Sequence, residues 1–262
     1  MTGTHDEYVD NVASTHIKRL MDDPFISFSQ NGEDVILNRL FKNKNSGVYV
    51  DVGAYHPIVK STTYFAYLRG WRGVNIDISK VNIDRFDTVR PDDTNICAAI
   101  GIPGQKTPFY IIEGSTRSTN DPELASKYSK QGLAVEYSEI RTVGLDEILK
   151  KTGVDQIDFL SIDAEGSEKN VLKSVNFSKT RPTVILIEAT YPEKTELTSD
   201  NWENIILEHN YVEIYFDGLN KYYLNQEKLD QFELPVTPKN YFDNYISYNE
   251  YCVLKKLKEN ML

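Results

Sequence analysis

The chain has 262 residues, 40% of them hydrophobic, with a formal net charge of −10. That length fits one sizeable domain with additions, and the acidic balance argues against a duplex nucleic-acid binder, which needs a basic face for phosphates. No apolar run approaches membrane-spanning length, and the polar start Thr4-His5-Asp6-Glu7 lacks the basic-then-apolar pattern of a secretion signal. Cys97 and Cys252 stand far apart without metal-type spacing and read as reduced residues of a cytoplasmic protein.

In chain order, residues 1–27 are polar with scattered apolar positions (Val9, Val12, Ile17, Leu20). They read as an N-terminal arm carrying a short amphipathic helix, a cover or a dimer contact. Ser29-Gln30-Asn31-Gly32-Glu33-Asp34 then opens a helix with one broad apolar face through Val35, Ile36 and Leu37. Its acidic pair suits the positive end of the helix dipole. The alternative is that Gln30, Glu33 or Asp34 projects toward a ligand.

The organising stretch is Val48-Tyr49-Val50-Asp51-Val52-Gly53-Ala54-Tyr55-His56-Pro57. Alternating Val48, Val50 and Val52 predict a buried strand, and Gly53 permits a tight turn just past the carboxylate of Asp51. Open α/β sheets bind ligands beyond such strand ends. Neither a P-loop nor the G-x-G-x-x-G dinucleotide turn is present. Asp-x-Gly resembles motif I of the S-adenosylmethionine-dependent methyltransferases, and equally suits a plain strand-to-loop turn.

A helix follows over residues 61–69, with Ser61 or Thr62 as cap and Gly70 as stop. Gly73-Val74-Asn75-Ile76-Asp77-Ile78 predicts a second strand, whose Asp77 stands 26 positions after Asp51, the interval at which nucleoside-binding folds place a ribose-binding acid. A helix over 79–90 ends before Pro91, and residues 94–101 predict a third strand, its end beside an adenine. Residues 106–112 are strand-like. Gly114-Ser115-Thr116-Arg117-Ser118-Thr119 reads as a surface loop or a lid, with Arg117 suited to a phosphate.

A helix from Val143 precedes the strand Ile157-Asp158-Phe159-Leu160-Ser161-Ile162-Asp163, after which Ala164-Glu165-Gly166 opens another helix. Thr183-Val184-Ile185-Leu186-Ile187-Glu188 is a run typical of a strand buried on both faces. Asp51, Asp77, Asp163 and Glu188 therefore all sit at strand C-termini. After a helix over 202–209, Tyr211 to Phe216 and Lys221 to Leu224 flank Asp217-Gly218-Leu219-Asn220 as an antiparallel hairpin. The aromatic tail from Tyr241 ends basic and helical.

Six pieces in order resemble the FkbM-type methyltransferases: the Ser29–Asp34 segment, Val50 to Ala54 with His56-Pro57, Gly70 to Asp77, Asp158 to Gly166, Phe216 to Asn220, and Asn240-Tyr241-Phe242-Asp243. The resemblance spans roughly residues 26–247. It implies a class I, Rossmann-like α/β fold, with a mostly parallel seven-stranded sheet, a terminal antiparallel hairpin and helices on both faces. The expected organisation is the arm 1–27, then a single domain 28–262 with a C-terminal extension from about 227. It also implies S-adenosylmethionine held by Gln30, Glu33, Asp51, Gly53, Ala54, Ser61, Asp77, Ile78, Ala98 and Asp163, and O-methylation of a sugar hydroxyl, on a sugar, a nucleotide-activated sugar or a surface-polysaccharide precursor. The chain departs from many relatives at Asp77-Ile78-Ser79, where those have Glu and a Pro-containing turn.

Two mechanisms fit these residues. A general base, His56 or Glu165, takes the acceptor's proton, while Asp163 with Glu165 at the strand exit reads as an acid/base or metal pair. Alternatively Asp163 and Glu188, with Asp217 as a further ligand, hold Mg2+ or Mn2+ that lowers the hydroxyl's pKa. Competing functions are a non-catalytic cofactor- or nucleotide-binding module, a nucleoside-sugar oxidoreductase (disfavoured by the missing Gly-rich turn), and a methyltransferase for a protein or natural product. A homo-oligomer through the arm or the aromatic tail is compatible with all of these.

Overall fold

The computed structural model describes residues 23–260 apart from 193 and 235; the amphipathic helix expected before residue 22 lies outside them. Strand β1 (Phe25–Ser27) precedes helix α1 (Glu33–Leu40), which starts at Gly32 in a left-handed conformation and carries Glu33 and Asp34 in its first turn. Then come β2 (Val48–Val52), α2 (Tyr64–Leu68), β3 (Arg72–Asp77), α3 (Lys80–Val89), β4 (Thr94–Cys97), β5 (Lys106–Ile111), α4 (Pro122–Lys130), β6 (Glu136–Arg141), α5 (Leu145–Thr152) and β7 (Phe159–Ile162). The chain continues through α6 (Glu168–Lys173), β8 (Val184–Glu188), α7 (Glu203–Leu207), β9 (Tyr211–Phe216), β10 (Asn220–Asn225), β11 (Tyr245–Ser247) and α8 (Tyr248–Asn260).

Seven strands form the central sheet in the order β4-β3-β2-β7-β8-β10-β9. Every neighbouring pair from β4 to β8 is parallel, and β10 runs antiparallel to both β8 and β9. This is the mostly parallel sheet with a terminal antiparallel hairpin that the resemblance implies. The order reverses at β2, where crossovers leave in opposite directions and open a crevice beyond the strand ends.

Side-chain alternation along the strands divides the core in two. Val50, Val52, Val74, Ile76, Leu160, Ile162, Ile185 and Ile187 face helices α5, α6 and α7. Tyr49, Phe159, Val184, Leu186, Tyr222 and Leu224 face Ile36 and Leu37 of α1, Phe65 and Ala66 of α2, and Trp71. Helices thus cover both faces. Sealing both sides satisfies the apolar runs of the inner strands, each large buried side chain contributing about 1.5–3 kcal/mol.

Two additions frame this body. β5 and β6 form a separate antiparallel ribbon, and β1 pairs in parallel with β11, so the segment before α1 is tied to the C-terminal extension. Arg39 of α1 grips Asp243 through Nε and Nη2 at 2.7–3.0 Å, fixing the Asn240-Tyr241-Phe242-Asp243 turn against the domain. Among the described residues no helix is long and apolar enough to cross a membrane.

Candidate active site

The register of β2, β3, β7 and β8 lines up four carboxylates along one edge of the sheet. Asp51 pairs with Ser161, Asp77 ends β3, Asp163 follows β7 immediately, and Glu188 ends β8. Gly53 turns the chain away at φ 87°, where a Cβ would lie 1.7 Å from the carbonyl oxygen of Asp163. Only glycine allows β2 and β7 to converge this closely at their ends.

Three clefts meet along this edge. One, of about 650 Å³, is lined by Gly53, Asp77, Ile78, Ala98, Phe109 and Thr116 among others, and reaches Asp163 and Glu165. A second, of about 530 Å³, shares Gly53, Tyr55, Thr116 and Asp163 with the first and adds Gln30, Glu33, Asp51, Ala54, Lys60 and Asn220. The third, of about 720 Å³, adjoins the first at Glu165 and takes in Glu188. Tyr55, Lys60 and Glu165 adopt positive φ (53°, 60° and 46°) although none is glycine. Such backbone costs roughly 1–3 kcal/mol per residue and clusters at ligand sites.

Burial sets the electrostatics. It pushes Asp51 up to about 6 against a donated hydrogen bond from Thr63 Oγ1 (2.9 Å). Thr63 Oγ1 in turn accepts from Arg90 Nη1 at 2.9 Å, and the fully buried Arg90 guanidinium also donates to Ser61 and Asn75. Asp163 presents surface to the clefts, yet protein surrounds it, and burial followed by neighbouring acids raises it above the ordinary carboxylate range. Glu188 is raised much further by burial and by the charge of Asp163, to which it donates a hydrogen bond. Glu165 is likewise raised by burial, then by Asp163 and Glu168. Glu33 is raised by burial and takes hydrogen bonds from Asn31 N (2.7 Å) and Asn220 Nδ2 (2.9 Å).

The remaining candidates divide by what their polar atoms do. Asp77 lines the first cleft, but Oδ2 accepts from Tyr55 N (2.9 Å) and Oδ1 from Ser79 N (2.7 Å) and Asn82 (3.2 Å). It shapes the turn after β2 as well as facing the cleft. Ser61 is buried, capping Tyr64 N and accepting from Arg90, behind Asp51. Asp34, with Ser27, Phe28 and Ser29 as donors, is a fold contact behind α1. His56 lines none of these clefts; its Nδ1 accepts from Ile58 N and Val59 N at 3.0–3.1 Å, which consumes the acceptor nitrogen of the imidazole.

The expected metal set is corrected. Asp217 does not join Asp163 and Glu188: Oδ1 accepts from Leu219 N and Asn220 N at 2.7–2.8 Å, and Oδ2 from Tyr222 OH at 2.9 Å. Its carboxylate closes the β9–β10 turn. Among the described residues no group of three or more His, Cys, Asp or Glu is arranged to hold a metal ion.

Residues 114–119 do more than skirt the surface. Thr119 pairs with Tyr110 and its Oγ1 donates to Glu165 O (3.0 Å), which folds Ser115, Thr116 and Ser118 onto the first cleft. The sequence signal was a Gly114 turn between two β-prone stretches. Phe109 of β5 closes the same cleft, so the ribbon is a wall of the site.

A family model, the methyltransferase FkbM domain, matches residues 51–213, from the first carboxylate through most of the sheet. The chain belongs to the FkbM methyltransferase family. No curated protein and no solved structure matches it. In this FkbM methyltransferase the matched span carries Asp51, Asp77, Asp163, Glu165 and Glu188, whereas Gln30, Glu33 and the 217–243 segment lie outside it.

The residues also fit the cofactor usual for methyltransferases. The first cleft offers flat apolar surface (Ile78, Ala98, Phe109) beside a carboxylate, suited to a nucleoside. The second gathers Glu33, Asp51 and Asp163, all desolvated and raised, so a cation placed there relieves their mutual repulsion. A sulfonium with an α-amino group is such a cation.

Proposed function

We propose that this FkbM methyltransferase uses S-adenosylmethionine to methylate a sugar hydroxyl, with Asp163 as the general base. The observation that carries the reading is the Asp163–Glu188 pair, standing where the three clefts meet. When bound, the cofactor supplies an electrophilic methyl group on a positively charged sulfur. Ile78, Ala98 and Asp77 would hold its nucleoside; Glu33, Asp51 and Gly53 would line the path of its amino-acid end.

The chain's own part is orientation and proton removal. Burial and the charge of Asp163 raise Glu188 further than Asp163 is raised, so Asp163 is the partner that ionises first, as a general base needs. Asp163 would take the proton of the acceptor hydroxyl as that oxygen receives the methyl group the bound cofactor would supply. His56, with its acceptor nitrogen turned to the 58–59 backbone, takes no part.

Calorimetric titration with S-adenosylhomocysteine tests the cofactor reading. Binding to the parent, weakened at least about a hundredfold by Ala98→Trp, which fills the first cleft without removing a hydrogen bond, supports it. Absence of binding to the parent would overturn it.

A further inference from the structure

The third cleft is bounded by the loop after β8, by α4 and by the start of α6. Described residues of that loop are tied down by hydrogen bonds: Thr190 bridges to Leu197, Thr198 N donates to Ala189 O (2.8 Å), and Ala189 N donates to Leu219 O of the β9–β10 turn (2.8 Å). It is a built wall, with a tyrosine (Tyr191) and a tryptophan (Trp202) facing the space.

The same segment leaves polar groups unsatisfied. Thr190, 5% exposed, lines the cleft, and its hydroxyl has no hydrogen bond among the described residues. Trp202, which also lines the cleft, has its Nε1 buried without a partner among the described residues. A buried polar group left unpaired costs about 1–3 kcal/mol, a cost that a ligand's hydroxyls offset.

Charge narrows the ligand. Asp121, Glu165, Glu168 and Glu188 border the cleft; among its described lining residues Lys169 is the one cation and no arginine is present. A diphosphate calls for arginine forks or a cluster of cations. Carboxyl groups, hydroxyls and aromatic faces instead suit an uncharged polyol, whose hydroxyls donate to acids while its C–H faces lie on rings.

We infer that this cleft is the acceptor subsite and that it takes a neutral glycosyl unit rather than a nucleotide-activated sugar, with Thr190 and Tyr191 selecting it. The inference rests on the methyltransferase reading above and deepens it. A hydroxyl of a sugar seated between Tyr191 and Glu188 is delivered to the Asp163–Glu188 pair, beside the Glu165 wall shared with the first cleft.

Methyl transfer from tritiated S-adenosylmethionine tests this against methyl glycosides of the common neutral hexoses and 6-deoxyhexoses, set beside the UDP- and GDP-linked forms of the same sugars. The expected result is transfer to a neutral glycoside, with KM raised at least about tenfold in Thr190→Val and in Tyr191→Ala while affinity for S-adenosylhomocysteine stays within about twofold. Preference for the nucleotide-linked forms, unchanged KM in both variants, or no transfer to any sugar by a parent that binds S-adenosylhomocysteine would each overturn it. A parent that does not bind S-adenosylhomocysteine would overturn the cofactor reading, and the acceptor assignment with it.

Discussion

Glu188 and Asp163 end adjacent parallel strands, and burial together with the charge of Asp163 raises Glu188 well above the ordinary carboxylate range, so one carboxyl of the pair keeps its proton. Ionising both would place like charges together in a medium that stabilises neither. The proton therefore acts as structure, and a neutral donor at 188 can replace it.

Glu188→Gln tests that relationship. The glutamine amide still donates to Asp163, so the variant's melting temperature at pH 8 equals or exceeds the parent's. Glu188→Leu removes the donor and leaves Asp163 to the water of the clefts, so it is the less stable of the two variants. Thermal unfolding of the three proteins checks the order; a glutamine variant as unstable as the leucine variant would mean that the pair is not held by a proton.

Asp51 gives a pH dependence with a definite sign. Burial raises it from 3.8 to about 6 in the folded chain, so between those values the folded state keeps a proton that the unfolded state has lost. The stability this lends is complete below the unfolded value and fades as pH rises through about 6. Asp51→Asn, uncharged throughout, should match the parent near pH 4 and exceed it at pH 7.5 by an amount on the order of 3 kcal/mol. Urea unfolding of the cofactor-free proteins at both pH values measures the difference; a gap that shrinks with rising pH would contradict the assignment.

What could be read along the chain, and what could not, follows from how far each signal reaches. Alternation of Val48, Val50 and Val52, and the continuous run ending at Glu188, are local and placed the strands that bring the carboxylates together. Orientation is not local. Asp217 looks alike as a ligand or as a turn acceptor, and only the approach of Tyr222 OH and two backbone N–H groups decides between them. The 114–119 loop is polar whether it lies free or folds over a site; its pairing with Tyr110 and its hold on Glu165 O are contacts across the fold. Arg90, next to Pro91 at the end of a predicted helix, gave no sign of the pocket of rings it enters.

Asp217→Ala should act on the hairpin. The fully buried Tyr222 loses its hydroxyl's acceptor, and two turn N–H groups lose theirs, for a combined cost of about 2–4 kcal/mol. Denaturant unfolding measures it. A fully stable variant with altered dependence on added Mg2+ or Mn2+ would restore the ligand role set aside here.

Arg90 links the fold to the site. Its guanidinium has no solvent exposure, lies within about 6 Å of the rings of Tyr49, Tyr64, Tyr67 and Phe86, and holds Thr63, which holds Asp51. Lysine cannot reproduce a fork that reaches Ser61, Thr63 and Asn75 together, so Arg90→Lys should lose on the order of 3–5 kcal/mol, close to the loss for Arg90→Met. Because Thr63 is the shared partner, the effect is not additive with Asp51→Asn. A double-mutant cycle in urea should give a coupling of roughly 0.5–3 kcal/mol between positions 51 and 90, whereas independent sites add to within a few tenths. Additive behaviour would mean that Arg90 supports only the packing of its aromatic neighbours and that Thr63 transmits nothing to the carboxylate.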